Sequence, residues 1–387
     1  MEPFRGLDLL GLEDLLSEEE RLVRDSVRTF VDREVIPIID EYYREARYPL
    51  HLASRLADLG LFGSTLHGYG CAGINSVAYG LAMQELERGD SALRSFASVQ
   101  GGLVMSALYM FGSEAQKERW LPALAKGEAI GCFGLTEPDF GSNPAGMRTR
   151  ALEAGDSYIL DGTKMWITNG HIADVAVVWA RAKEGIQGFL VERGTPGFSS
   201  REIKGKFSLR ASCTSELCFE ECRIPKENRL PHAEGIKSPL MCLNHARYSI
   251  AWGSLGAAMA CYQTALDYAR QRVQFDRPIA GFQLVQEKLV WMATEITKGQ
   301  LLAYHVGRRR DQGKARHVEI SMAKMNNVAI ALETARSARE ILGASGICDD
   351  YPVIRHMCNL ESVKTYEGTH QIHTLIIGQH ITGLSAF

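Results

Sequence analysis

Apolar positions in the first 130 residues recur at helical spacing. Ser17-Glu18-Glu19-Glu20 reads as a capping box. Val23, Val27, Phe30, Val31 and Val35 then follow at the three- and four-residue intervals of one helix face, up to Pro37. Further helical runs cover 76–87 and 90–111, with Gly89 as a stop and Asp90 as the next N-cap. The period changes near Ala129. Tyr158-Ile159-Leu160, Met165-Trp166-Ile167-Thr168, Val175-Ala176-Val177-Val178-Trp179 and Gly188-Phe189-Leu190-Val191 are short and β-rich, and Asp161-Gly162, Asn169-Gly170 and Thr195-Pro196-Gly197 separate them as turn signals. Closely spaced strands without intervening helices predict an antiparallel sheet or small barrel, not a dinucleotide fold. Helical periodicity returns from about Leu243, in runs over 250–272, 284–312 and 318–342.

The chain is therefore expected to be α+β in three parts: an N-terminal helical domain (1–130), a central β-domain (131–240) and a C-terminal helical domain (241–387). Composition adds exclusions. Of 387 residues 45% are hydrophobic and 23% charged, with a formal net charge of −3 and no basic stripe, so a dedicated nucleic-acid binder is not indicated. No stretch approaches the ~18 uninterrupted apolar residues of a membrane span. The first eight residues are acidic and lack a signal-peptide core, so the chain reads as cytoplasmic, or as a matrix protein if a transit peptide has been removed. The nine cysteines are scattered; Cys218 and Cys222 are the closest pair, without partners for a zinc site. His370, His373 and His380 lack acidic or thiolate neighbours, and no metal is expected. Gly68-Tyr69-Gly70-Cys71-Ala72-Gly73 spells a dinucleotide fingerprint, but no βαβ unit surrounds it, and a loop between helices is predicted.

Candidate chemistry concentrates near the C-terminus. In Thr365-Tyr366-Glu367-Gly368-Thr369-His370, a carboxylate sits between an aromatic residue and a glycine, where Thr369 can cap a new helix. Alone, Glu367 reads as a solvated side chain. Upstream, Gly134-Leu135-Thr136-Glu137-Pro138 and Gly141-Ser142 offer backbone N–H groups and hydroxyls with little bulk, suited to a flat polar ring or a phosphate. Trp166 offers an aromatic surface two residues from the Thr168 hydroxyl, though taken alone such a segment is more often ordinary strand packing.

The loop Phe133–Pro138, the strand Lys164–Asn169, the run Arg272-Val273-Gln274-Phe275 and the bend Tyr366–Thr369 occur in this order at family-like spacing. Together they resemble the flavin-dependent acyl-CoA dehydrogenases over nearly the whole chain. Gly205–Ser212, Leu243-Asn244-His245-Ala246-Arg247-Tyr248 and the closing Ile381–Phe387 are similar to the glutaryl-CoA dehydrogenase branch.

The resemblance implies that the C-terminal domain is a four-helix bundle, that FAD lies between it and the β-domain with a neighbouring subunit completing the site, and that the protein is a homo-oligomer, a tetramer, using electron-transferring flavoprotein as acceptor. It implies that Glu367 removes an α-proton from an acyl-CoA while its own backbone N–H and a flavin hydroxyl polarise the thioester carbonyl. Hydride leaves to the flavin near Thr168. The cofactor residues implied are Phe133, Leu135, Thr136, Ser142, Trp166, Ile167 and Thr168, then Arg272, Phe275, Gln283, Leu342, Gly343, Ala344, Thr369, Gln371 and Phe387. The acyl-CoA falls to Ser142, Leu243, Asn244, Arg247, Tyr248, Ile250, Tyr366 and Gly368. Arg94 with Ser95 and Ser98 is implied to bind the distal carboxylate of the substrate, tempered by Glu87; by helix position alone Arg94 reads as a snorkelling surface residue. Decarboxylation to crotonyl-CoA is the implied outcome. Another carboxylated or branched acyl thioester, on CoA or a carrier protein, and a non-catalytic flavin-binding relative stay open. Asp276, Asn143, Ala344-Ser345 and Gln379-His380 depart from the family pattern near FAD, and Gly89, Gly101 and Gly102 depart from it near Arg94.

Overall fold

The computed structural model describes residue 4 and residues 6–386. Helix α1 (Glu18–Phe30) starts at a capping box in which Ser17 Oγ accepts from the Glu20 N–H and the Glu20 carboxylate accepts from the Ser17 N–H. Pro37 does not end this rod. A π-helical stretch, Val31–Val35, widens it, and α2 (Ile36–Glu45) continues with Pro37 in its first turn, where no N–H is needed. The rod is followed by α3 (Leu52–Asp58), and a loop through the GxGxxG-like run leads to α4 (Ser76–Gly89). Helix α5 (Ser91–Ala97), a π-helical segment Ser98–Met105 and α6 (Ser106–Phe111) form one continuous rod, and α7 (Glu114–Ala125) completes the domain.

Seven strands follow: β1 (Gly131–Gly134), β2 (Arg150–Ala154), β3 (Ser157–Thr168), β4 (Val175–Ala182), β5 (Gly185–Glu192), β6 (Phe198–Glu202) and β7 (Thr214–Pro225). They make one sheet in the order β1-β4-β2-β3-β7-β6, with β5 on the other edge of β4. Most pairs are antiparallel as expected, but β1 runs parallel to β4, and β2 meets β4 in parallel at Arg150 and Arg181. The long loop after β1 frees that strand from hairpin geometry. Asp161-Gly162 is no turn: it lies inside β3 at a register shift against β7, where the Asp161 carboxylate accepts from the Glu221 N–H.

Helix α8 (Lys237–Gln271) opens the C-terminal part, so the boundary expected at 240/241 falls inside it. A small ribbon, β8 (Val273–Gln274) with β9 (Arg277–Pro278), precedes α9 (Gln283–Asp311), α10 (His317–Leu342), α11 (Val353–Thr365) and α12 (His370–Thr382). Asn327 of α10 ties three helices by donating to the Ala251 and Gly299 carbonyls. No helix among the described residues is long and apolar enough to cross a membrane.

Two junctions set the site. Asp90 ends α4 and caps α5 by accepting from the Ala92 N–H, and its other oxygen receives Arg355 and Asn359 of α11. Asn359 also accepts from the Leu209 N–H of the β-domain at 2.7 Å, so one buried carboxylate links all three parts. Helices α4 and α8 meanwhile touch backbone to backbone: a Cβ on Gly256 would stand 1.8 Å from the Gln84 carbonyl oxygen. Gly256→Ala is therefore expected to lose about 1–3 kcal/mol of stability by forcing these helices apart. Gly141→Ala, where a Cβ meets nothing within 4 Å, is expected to be near neutral. Urea unfolding of the pair checks this.

Candidate active site

Arg94 does not snorkel. It is fully buried, and its Nε donates to Glu87 Oε2 at 2.7 Å, while Ser91 Oγ donates to the other Glu87 oxygen at 2.8 Å. The α4–α5 elbow at Asp90 brings Glu87 and Arg94 together, and Gly253 of α8 lets them pack close, since a Cβ there would stand 2.1 Å from Glu87 Oε2. Arg94 Nη2 donates to the Tyr366 hydroxyl, and the guanidinium lies 5.5 Å from that ring's centre. Its remaining nitrogen, Nη1, is buried without a partner among the described residues. Burial acts to lower the affinity of this guanidine for its proton, but Glu87, Tyr366 and Glu367 outweigh it and keep Arg94 charged.

Glu367 stands on the bend between α11 and α12 in the left-handed region, φ 53°, followed by Gly368 at φ 100°. A non-glycine residue held there costs about 1–2 kcal/mol. Hydrogen bonds from charged groups, worth about 1.5–3 kcal/mol each, offset the strain: Arg247 Nε donates to the Glu367 carbonyl at 2.8 Å, and Lys324 Nζ donates to the carbonyls of Tyr366 and Gly368. Glu367 Oε2 is buried and unpartnered among the described residues. Burial raises the pKa of this carboxyl, partly countered by Arg94, Lys324 and Arg247 and assisted by Glu87. The group is thus a desolvated carboxylate held among cations, the condition of a general base rather than of a structural ion pair.

Glu87, Arg94, Arg247, Tyr366, Glu367 and Gly368 converge here. Ser95 is buried on the same helix, and Ser98 Oγ bonds Ser249 Oγ of α8 at 2.8 Å. Leu243 and Asn244 lie on α8 one turn before Arg247, with Asn244 Oδ1 buried and unpartnered. Tyr248 and Ile250 do not join them. Tyr248 faces away, donating to the Ser76 carbonyl beneath Arg310, and Ile250 is sealed in the bundle core by its position on the inner stripe of α8. Gly89 and Gly101 are packing positions, against Val31 and Val35 and against the Gly63 backbone; only Gly102 borders site residues, 3.6 Å from Ser98 Oγ and the Tyr79 hydroxyl by a built Cβ.

The residues expected at the flavin ring lie at the end of β1, on the loop after it and at the C-terminal end of β3. Phe133 and Leu135 are buried at the end of β1. A buried pair fixes the next residues: Lys164 Nζ reaches the Leu135 carbonyl at 3.1 Å and Glu137 at 2.9 Å, and Glu137 accepts the Arg148 and Thr149 N–H groups. Thr136 is held by its carbonyl, which accepts from the Met165 N–H, and Ser142 is exposed on the loop beyond. In β3 a register shift between Lys164 and Ile167 puts Trp166 at φ 63° with 60% of its surface exposed; Ile167 is buried and Thr168 half-buried. Arg272, Phe275 and Gln283 are exposed beyond the far end of α8; Gly343 and Ala344 are exposed just past the end of α10, whereas Leu342 is buried in the bundle core. Twenty-five residues of helix separate Arg272 from Arg247, roughly 37 Å. Thr369 caps α12 through the Ile372 N–H, Gln371 is exposed, and Phe387 lies outside the described residues. Among the described residues no group of three or more His, Cys, Asp or Glu side chains could hold a metal.

Lys324 escaped the sequence reading. It falls on the buried stripe of α10 with Ile320, Asn327, Val328 and Ala331, and a charged residue on such a stripe was the available signal. Burial pushes its pKa down to about 7, with Glu367 opposing and Arg247 and Arg94 assisting. His373, buried with both ring nitrogens unpartnered among the described residues, sits against Gly368.

Family models for the acyl-CoA dehydrogenase N-terminal, middle and C-terminal domains match residues 17–128, 132–222 and 233–382. A crystal structure of glutaryl-CoA dehydrogenase from Mycobacterium smegmatis is 58% identical, with a TM-score of 0.98, covering 99% of this chain and 100% of that one. A second glutaryl-CoA dehydrogenase structure from that organism, in complex with FADH2, is 53% identical, with a TM-score of 0.97, covering 98% and 99%. The mitochondrial short-chain specific acyl-CoA dehydrogenase of Rattus norvegicus is 35% identical over 95% of this chain and 90% of its own length. With family models matching all three parts of the chain and relatives this similar over nearly its whole length, the chain belongs to the acyl-CoA dehydrogenase family.

Proposed function

We propose that this protein is an FAD-dependent dehydrogenase of glutaryl-CoA that also decarboxylates its product. The observation that carries the substrate assignment is the buried Arg94, one of whose guanidinium nitrogens has no partner among the described residues, beside the Glu367 carboxylate. A planar guanidinium with an open edge in a dry pocket suits a carboxylate at the end of an acyl chain. FAD fits the ends of β1 and β3, where the pinned Leu135–Glu137 loop and the outward Trp166 offer backbone polar groups and an indole that lacks cover. Phe133, Leu135, Thr136, Ser142, Trp166, Ile167 and Thr168 are assigned to its flavin end. Arg272, roughly 37 Å along α8 from Arg247, is assigned with Phe275, Gln283 and Leu342–Ala344 to a neighbouring subunit's cofactor, which favours a homo-oligomer, proposed as a tetramer. When bound, FAD supplies the acceptor for the β-hydride, and electron-transferring flavoprotein is the proposed next acceptor.

The chain's own residues do the rest. Glu367 removes the α-proton, and its backbone N–H donates to the thioester oxygen as negative charge develops there. Arg94, with Tyr366 across its face, fixes the distal carboxylate. Loss of that carboxylate as CO2 leaves an electron pair conjugated with the thioester, and Glu367, protonated in the first step, returns the proton to the terminal carbon. Atoms and charge then balance for crotonyl-CoA. A second reading has its own support: Glu87 already pairs Arg94, as a structural ion pair would, and the rat relative is named for short acyl chains.

Arg94→Ala separates the two. Its kcat/KM for glutaryl-CoA is expected to fall by ~2–5 kcal/mol in transition-state terms, with a much smaller fall for butyryl-CoA; equal falls would make Arg94 structural. Glu367→Gln is expected to keep FAD and lose turnover. Because burial raises the Glu367 pKa and the base must be ionised, wild-type kcat/KM should climb with pH through a midpoint above the ordinary 4.5 of a glutamate. A profile flat down to pH 4.5 would remove Glu367 from the role.

A further inference from the structure

Lys324 is 1% exposed, yet its ammonium is directed at backbone. Tyr366, Glu367 and Gly368 carry three successive carbonyls, and all three accept from buried cations: Lys324 Nζ at 3.1 Å, Arg247 Nε at 2.8 Å and Lys324 Nζ at 2.7 Å. A trans peptide points its C=O and N–H in opposite directions. Anchoring the Tyr366 carbonyl on α10 therefore turns the Glu367 N–H away from α10, and that N–H has no acceptor among the described residues. A cation on the carbonyl side also polarises the amide and strengthens its N–H as a donor.

We propose that Lys324 is a positioning residue for the thioester carbonyl: it sets the peptide between Tyr366 and Glu367 so that one residue presents both the carboxylate for the α-proton and the N–H for the oxygen. The inference rests on Glu367 being the base. Lys324 touches no reacting atom; it acts through the peptide it holds. Arg247 holds only the Glu367 carbonyl, so it does not fix the peptide between Tyr366 and Glu367.

The readout is the carbonyl stretch of a bound acyl-CoA labelled with 13C at C1, glutaryl and butyryl in parallel, by isotope-edited infrared spectroscopy. FAD-loaded protein in the Glu367→Gln background is used, which keeps the 367 N–H and stops turnover. A red shift from the free thioester is expected in that background and should be mostly lost on adding Lys324→Met, with the dissociation constant changed far less. With Glu367 restored, Lys324→Met should lower kcat about 100-fold, as for loss of one oxyanion donor, at nearly constant KM. Lys324→Gln, too short to span both carbonyls, must lose the shift as well and serves if the Met variant does not fold. A folded, FAD-loaded variant of either kind that retains the full shift overturns the proposal. Turnover by Glu367→Gln itself would instead overturn the assignment of the base.

Discussion

The buried carboxylate of Asp90 is the constraint on which the site depends. It ends one helix, caps the next, and receives Arg355 and Asn359 of α11, while Asn359 holds the Leu209 N–H of the β-domain. A buried anion needs such partners, since stripping one leaves an uncompensated charge costing about 3–5 kcal/mol. Arg94 lies one turn after Asp90 and Glu367 lies two residues beyond the end of α11. The same junction therefore sets the distance between the residue proposed for the far end of the substrate and the residue proposed for its reacting carbon.

Charge in the site is arranged in opposition. Arg94, Arg247 and Lys324 surround Glu367 and favour its ionised form, whereas burial and Glu87 favour the protonated one. Desolvation is the larger influence, and it leaves a carboxylate that is both ionisable and reactive. The cations do not quench it by direct pairing: Arg247 and Lys324 bond the backbone of the bend, and Arg94 bonds Glu87 and Tyr366. Structure is thereby held by the main chain while the acidic side chain stays free for chemistry.

Local signals made much of the fold legible. The capping box at Ser17, the Asp90 cap and the change of period near Ala129 were all readable, because each depends on neighbours within a few residues. What failed depended on distant partners. Pro37 looked like a helix end because the π-helical stretch before it leaves no sequence mark, and Asp161-Gly162 looked like a turn because only pairing with β7 makes it a bulge. The bend at Glu367 was legible through motif resemblance, but Arg94 read as surface until the α4–α5 elbow and Gly253 buried it beside Glu87. Lys324 was missed because it is 42 residues from the carbonyl it holds, on a helix whose periodicity gives no hint of a partner.

Anaerobic mixing of the FAD-loaded wild-type protein with glutaryl-CoA, followed by flavin absorbance and product mass, tests the central assignment most directly. The account predicts bleaching of the flavin and formation of crotonyl-CoA with CO2. No bleaching by glutaryl-CoA, alongside bleaching by butyryl-CoA, would contradict it and leave Arg94 as part of the scaffold.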